Sequence, residues 1–172
     1  MNLSFKKCNN NDLVRLLKIS RTTFIDAFEK DNNPDDFIEY INSAFSKENI
    51  KTELSNPNSL FYFTYYNDIL VGYFKLNQKG SQTELFDQNA LELERIYVLN
   101  NFQGQQIGKQ MLFKTIELAE LKKASFLWLG VWEKNMAAIR FYQRYGFIKF
   151  DTHHYYIGND KQTDWLMKLN LV

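Results

Sequence analysis

The chain has very little cysteine and no long apolar run. Its single cysteine, Cys8, excludes an internal disulfide and is expected to be a small buried apolar residue. No apolar stretch reaches the roughly 20 residues that a membrane-spanning helix needs. No signal-peptide pattern follows Met1. We therefore expect a cytoplasmic protein.

The chain also lacks an excess of charge of one sign. Its 21 lysine and arginine residues nearly balance 20 aspartate and glutamate residues, for a formal net charge of +1. This balance argues against charge-driven binding to nucleic acid or to a membrane surface. The pair His153 and His154 has no accompanying cluster of cysteines or carboxylates, so we expect no metal site.

The composition is that of a globular protein. Hydrophobic residues make up 45% of the 172 positions, which is enough to bury a core in a single domain spanning residues 1–172. Aromatic residues make up 16%, more than a core alone requires. Some of them are candidates to line a site for an apolar or cationic ligand.

Hydrophobic periodicity predicts a mixed α/β sheet. The first third reads as strand Leu3–Lys7 and three helical segments, which begin at Asn11 or Asp12, at Pro34 and at Ser46. Residues 21–30 either continue the first helix or kink away from it. Later strands are predicted at 60–66, 69–76, 91–99, 125–132, 147–156 and 165–171, and Asn67-Asp68 is a hairpin signal. Helices are predicted after Gly104 and from Asn135 to Gly146.

The segment Leu91–Lys122 has the outline of an anion-binding unit, in which a strand is followed by a glycine-bearing loop and a helix. A helix N-terminus has backbone N–H groups without internal partners, and its dipole favours an anion. The loop matches neither the Walker pattern nor GxGxxG. An ordinary strand-to-helix connection is the alternative explanation.

Two motifs resemble the GNAT N-acetyltransferase family. Residues 128–147 contain N-x-x-A-x-x-F-Y-x-x-x-G-F, carried by Asn135, Ala138, Phe141-Tyr142 and Gly146-Phe147. The loop resembles the family's Q/R-x-x-G-x-G/A pattern, in which the first and last positions match. The middle glycine of the pattern is Gln106 here. We expect its backbone to avoid positive φ unless it is strained.

The resemblance implies the family's fold and chemistry. It implies a mostly antiparallel central sheet of six to seven strands, with helices on both faces and two splayed parallel strands that admit acetyl-CoA. The main chain of Ile96, Tyr97 and Val98 would then bind the pantetheine arm. The loop and the second helix would hold the remainder, through Gln103, Gly104, Gln105, Gln106, Ile107, Gly108, Lys109, Asn135, Arg140 and Tyr142. Lys109 is either a phosphate contact or an ordinary solvated lysine.

The same resemblance implies that Tyr142 is the general acid, which gives a proton to the departing thiolate. The alternative is a tyrosine packed in the core. Many family members carry a glutamate where this chain has Gly130, so the base must lie elsewhere. Glu94 is our choice, with Glu92 or a water chain as alternatives. Both glutamates are expected on the strand face that carries Ile96 and Val98. A purely substrate-binding role for them is equally open.

Segments near both ends resemble the PaiA branch, which is linked to N-acetylation of spermidine and spermine. These segments are TTFIDAF at 22–28, NNPDDFIEYINSAFS at 32–46 and IGNDKQTDWLMK at 157–168. An acidic excess could attract a polyamine, although a solvated helix face explains it as well. It comprises Asp26, Glu29, Asp31, Asp35, Asp36 and Glu39. Phe24, Phe28 and Tyr40 are candidates for the substrate side.

The sequence therefore predicts an acetyl-CoA-dependent N-acetyltransferase that acts on a small amine, with a polyamine as the leading acceptor. A non-catalytic acyl-CoA-binding regulator on the same fold is one alternative, because of Gln106 and Gly130. A protein or peptide N-acetyltransferase is another. Relatives of this family are often dimers, so a homodimer is possible.

Overall fold

A computed structural model describes residues 2–157 and 160–171. Its seven strands are β1 Leu3–Lys7, β2 Ser59–Tyr66, β3 Ile69–Gln78, β4 Leu91–Val98, β5 Phe126–Trp132, β6 Ile148–Ile157 and β7 Asp160–Asn170. Its five α-helices are α1 Leu13–Phe28, α2 Pro34–Ala44, α3 Lys47–Ser55, α4 Ile107–Leu121 and α5 Met136–Arg144. The strands form one sheet in the order β1-β2-β3-β4-β5-β7-β6, and the β4–β5 pair is parallel. The predicted fold is confirmed.

Local signals explain where the elements begin and end. The Asn33 side chain accepts hydrogen bonds from the first turn of α2, and Ser46 caps α3 in the same way. Asn67 and Asp68 take φ values of 46° and 65°, as a tight hairpin turn requires. Residues 21–28 continue α1 without a break. β7 begins at Asp160, earlier than the predicted start at 165, and the link between β6 and β7 includes Gly158 and Asn159, which lie outside the described residues.

The helices cover both faces of the sheet. α1, α2 and α3 pack on one face in a cluster that includes Leu16, Phe37 and Phe63. α4 and α5 pack on the other face, where Met111 and Ile139 are buried. None of the helices in the described ranges is long and apolar enough to cross a membrane.

The two parallel strands separate almost at once. Within the described residues, the β4–β5 ladder has two register pairs, Leu91 with Leu127 and Glu92 with Trp128. Each strand is paired along its outer edge, β4 with β3 and β5 with β7. The indole N–H of Trp128 donates to Gln82 Oε1 at 2.7 Å and fixes the closed end. The predicted splay is therefore present and opens toward the end of β4.

Gly72 marks a close contact between β3 and β4, which gives a stability prediction. A Cβ at Gly72 would lie 2.5 Å from the carbonyl oxygen of Tyr97. Backbone at that distance cannot yield without moving a strand, so Gly72→Ala should lower the free energy of unfolding by about 1–3 kcal/mol. Urea unfolding measures it. Gly80→Ala is the matched control because no atom lies within 4 Å of its added Cβ, and equal stability of the two variants would contradict the prediction.

Candidate active site

A cleft of about 1120 Å³ fills the gap between β4 and β5. It brings together most of the residues predicted from the sequence. Those in its lining are Glu92, Glu94, Ile96, Tyr97, Val98, Gln103, Gly104, Gln106, Ile107, Gly108, Lys109, Asn135 and Tyr142. Among the described residues, Gln105 and Arg140 are not part of that lining: both are exposed, and the Gln105 amide bonds the carbonyl of Asn101.

The main chain at the end of β4 faces this cleft. The Val98 carbonyl accepts a hydrogen bond from Gln103 Nε2 at 3.2 Å, whereas the Leu99 N–H points the other way, to Val71 of β3. Backbone groups two residues apart on a strand point to the same side. The N–H and C=O groups of Ile96 and Val98 are therefore directed toward the gap, where an extended ligand with amide groups can pair with them.

The loop before α4 forms an anion cradle. Gln106 has φ 60° and ψ 10°, so its backbone does not avoid positive φ and takes the strained alternative. Gln106 keeps the left-handed conformation that glycine adopts most easily, at a cost of about 1–2 kcal/mol. The first helical hydrogen bond runs from the Gln110 N–H to the Gln106 carbonyl. The N–H groups of the preceding helical residues are thus free of helical partners and open to an anion.

Two cationic side chains belong to the lining of the cleft. Lys109 lines the cleft, and its Nζ also sits 5.5 Å from the centre of the Phe113 ring, so both interpretations of this lysine remain open. Arg144, near the end of α5, is exposed and lines the cleft too. Arg144 has no motif in the sequence that assigns it to this site, because only the packing of α5 against the gap brings it there.

Tyr142 projects from α5 into the apolar side of the cleft. Burial raises the pKa of its phenol, so the hydroxyl keeps its proton at neutral pH. Its ring packs 5.7 Å from that of Phe147. Burial and the neighbouring phenols of Tyr73 and Tyr142 raise the pKa of Tyr97, across the gap on β4. Asn135 Oδ1 accepts from the Ala138 N–H at 3.1 Å, which confirms its predicted role as a helix cap.

A β-bulge at Glu94 changes which face of β4 each residue occupies. Lys75 is opposite Arg95 and Leu76 is opposite Leu93, so Glu94 is the additional residue. Ile96 and Val98 pack against the α4–α5 core, as Leu91 and Leu93 do. The glutamates instead bond to side chains of β3 on the opposite face. The expectation that they share a face with Ile96 and Val98 is therefore wrong.

Glu94 belongs to a buried network of two carboxylates and two cations. It lies 2.6 Å from Lys75 Nζ and 2.9 Å from Arg95 Nη2, and Glu53 pairs with the same two cations at 3.0 Å and 2.9 Å. Burial alone would raise the pKa of Glu94. The charges of Arg95 and Lys75, with hydrogen bonds from Lys75 and Asn77, outweigh burial, so its pKa is lowered. Glu94 as the base remains a prediction, and these ion pairs make it a weak proton acceptor.

Glu92 is held differently. Its carboxylate accepts hydrogen bonds from the Thr83 N–H at 2.8 Å, from the Thr83 hydroxyl and from Asn77 Nδ2 at 3.0 Å. Burial raises the pKa of Glu92, opposed by the Thr83 hydrogen bond and supported by the charge of Glu94. Its acceptor positions are thus largely occupied by the protein itself.

The side of the cleft away from α4 and α5 has aromatic walls. Phe24, Phe28 and Tyr40 line it, as anticipated for the substrate side, and Phe24 stacks 5.6 Å from Tyr40. The acidic residues noted around α2 do not appear in the described lining. Several polar residues of the lining were not predicted as part of this site, and four of them matter below. They are Glu84, His153, Tyr155 and Asp164.

The ion-pair network gives a pH-dependent stability prediction. Because the folded pKa of Glu94 is lowered, its stabilisation is present above the unfolded pKa of about 4.3 and is lost as pH falls through the folded value. Glu94→Gln should lower the free energy of unfolding by about 3 kcal/mol at pH 7, and by less at pH 4. Urea unfolding at several pH values tests this. The exposed Glu39→Gln serves as control, and a loss independent of pH would contradict the assignment.

Comparison with known proteins agrees with this geometry. A sequence model of the Acetyltransferase (GNAT) family matches residues 14–147. An uncharacterized N-acetyltransferase of Lactobacillus delbrueckii subsp. lactis is 39% identical over 164 residues, covering 95% of each chain. The spermine/spermidine N(1)-acetyltransferase of Bacillus subtilis is 33% identical over 105 residues, covering 58% of this chain and 69% of its own.

A solved structure shares the fold over nearly the whole chain. The PaiA N-acetyltransferase from Thermoplasma acidophilum, in complex with coenzyme A, superposes with a TM-score of 0.79. It is 23% identical and covers 99% of this chain and 100% of its own. At that identity the likeness is one of fold.

Proposed function

The chain belongs to the acetyltransferase (GNAT) family and is an acetyl-CoA-dependent N-acetyltransferase, and we propose that its acceptor is a polyamine such as spermidine or spermine. The main support for a polyamine acceptor is the chemistry of the cleft. One of its sides offers main-chain groups and a helix N-terminus, and the other offers aromatic walls and carboxylates. A long, flexible cation with primary amine ends suits the second side.

The residues of the first side fit acetyl-CoA. The main chain of Ile96 and Val98 would hold the amide-bearing arm, and the backbone from Gln106 to Lys109 would hold the diphosphate. Lys109 in the first turn of α4 would add a charge contact to phosphate, and Arg144 in the same cleft lining is a further candidate. Bound acetyl-CoA supplies an acetyl group on a thioester, which is reactive toward a neutral amine.

Tyr142 would supply the proton that the departing sulfur needs. Tyr142 is part of the cleft lining, and its hydroxyl stays protonated at neutral pH because burial raises its pKa. A proton donor positioned at the leaving group typically contributes about 10²–10⁴-fold to the rate.

Two lines of support favour a polyamine over other amines. The Bacillus subtilis relative is named a spermine/spermidine N(1)-acetyltransferase, and the Thermoplasma neighbour is named PaiA. In addition, Phe24, Phe28 and Tyr40 offer ring faces for methylene groups and cations. Gln106 holds the left-handed conformation, which weakens the reason for considering a non-catalytic regulator.

An acceptor screen tests the proposal. Thiol release from acetyl-CoA should be fastest with spermidine or spermine and much slower with a monoamine of similar length, because one cationic end then has no counterpart in the acidic cleft. Aminoglycosides, amino acids and N-terminal peptides complete the panel. Equal or faster transfer to a peptide would refute the proposal that the acceptor is a polyamine. Tight coenzyme binding without any transfer would favour the regulatory alternative.

Tyr142→Phe tests the acid role. The variant should lose about 10²–10³-fold in kcat with spermidine while its dissociation constant for coenzyme A changes little, because only the hydroxyl is removed. Tyr66→Phe on the β2–β3 hairpin is the control, since Tyr66 is not part of the described cleft lining. If Tyr142→Phe keeps the kcat of the unmodified protein, Tyr142 is a packing residue.

A further inference from the structure

Asp164 on β7 reaches over the surface of β5 into the cleft. It pairs in register with Trp132 of β5 and with His153 of β6, so its side chain lies on the same sheet face as Gly130. A Cβ built on Gly130 would lie 3.2 Å from Asp164 Oδ2. The missing side chain at Gly130 therefore leaves the space in which the Asp164 carboxylate sits.

Asp164 differs from the other cleft carboxylates in having no partner within the described residues. Glu94 is ion-paired, Glu92 accepts three hydrogen bonds, and Glu84 is paired with His153. Asp164 Oδ1 is buried without a hydrogen-bond partner in that part of the chain. Such an acceptor is costly to bury, so a site that retains it gains from an incoming proton or cationic donor.

The surroundings of Asp164 tune it for proton exchange near neutral pH. Burial raises its pKa to about 6, His153 on β6 opposes the shift, and Glu133 after β5 adds to it. A carboxyl group with a pKa near the working pH is an effective base.

Other titratable groups also face Asp164. Glu84 pairs with His153 from the segment after β3. Burial and the charge of Asp164 raise the pKa of Tyr155 on β6, and the same charge is one of the smaller contributions that raise the pKa of Tyr40 on α2. Asp164 thus has polar groups around it, but within the described residues none of them forms an ion pair or a hydrogen bond with its carboxylate.

We propose that Asp164 accepts the proton of the substrate's primary ammonium group, in place of Glu94, and holds that amine beside Gly130. This inference rests on the proposed function. Each proton and each bond in this reaction is accounted for. Asp164 takes one proton and frees the nitrogen lone pair, which forms the N–C bond while the C–S bond breaks. Tyr142 gives its proton to sulfur and regains one from the nitrogen as the amide forms. Asp164 then releases its proton to water.

The test compares Asp164→Asn with Glu94→Gln and with Asp151→Asn, a control on an exposed aspartate of β6 outside the described lining. Asp164→Asn should lower kcat with spermidine by about 10²–10³-fold and leave coenzyme A binding unchanged. In the unmodified protein, kcat/KM should fall below pH 6 because Asp164 becomes protonated. That acidic limb should be absent in Asp164→Asn.

Thermal unfolding provides a readout that is independent of activity. The folded pKa of Asp164 lies above its unfolded value of 3.8. The contribution of Asp164 to the free energy of unfolding therefore falls as pH rises from about 4 to about 6. Asn carries no charge to bury. Asp164→Asn should therefore unfold at a higher temperature than the unmodified protein at pH 7.5, and this difference should shrink near pH 4.

The outcomes separate the inference from the function on which it depends. Unchanged kcat in Asp164→Asn, a change in amine KM alone, a lowered unfolding temperature, or a larger kcat loss in Glu94→Gln would each overturn the assignment to Asp164. A His153→Gln variant that removes the acidic limb while Asp164→Asn keeps it would also overturn the assignment. If the unmodified protein acetylates no amine, the proposed function itself fails and the inference fails with it.

Discussion

The separation of β4 from β5 after two register pairs is the constraint on which the rest of the molecule depends. Along their outer edges, β4 is paired with β3 and β5 is paired with β7. Neither β4 nor β5 can therefore move to close the gap without breaking hydrogen bonds to that neighbour. The main-chain groups of Ile96 and the Val98 N–H, which face the gap, then need a partner other than β5, because backbone donors and acceptors are costly to leave unpaired. An extended ligand with amide groups can pair with them, so the gap is suited to bind such a ligand.

The bulge at Glu94 gives this gap two chemically different sides. An additional residue in one strand shifts the alternation of side chains, so Leu93 and Ile96 both face the apolar core although three positions separate them. The opposite face collects a buried network whose two cations match its two carboxylates. A buried network of balanced charge neither attracts nor repels a cationic substrate strongly. Outside this network, Glu92 already accepts hydrogen bonds from Thr83 and Asn77. Under the proposed function, acceptor recognition would therefore fall to Asp164.

Residue patterns were sufficient to predict the elements and their order, because caps and turns act locally: Asn33, Ser46 and the Asn67-Asp68 turn each satisfy backbone groups within a few residues. The coenzyme side was predictable for the same reason, since its motifs are contiguous. The bulge at Glu94 and the placement of Asp164 were not, because both depend on the register between strands far apart in sequence. Register is set by packing of the whole sheet, which alternation within one strand does not reveal.

The two sides of the cleft also differ in how they depend on sequence. The coenzyme side uses main-chain groups, so Gln106 can replace a glycine while the backbone keeps its conformation. The acceptor side is built from side chains of distant segments. Gln162 donates to Asn32 at 2.8 Å and accepts from the Tyr155 hydroxyl at 2.9 Å, which ties the β6–β7 hairpin to the link between α1 and α2. Under the proposed function, acceptor preference would therefore depend on segments near the two ends of the chain, where the resemblance to one branch of the family is found.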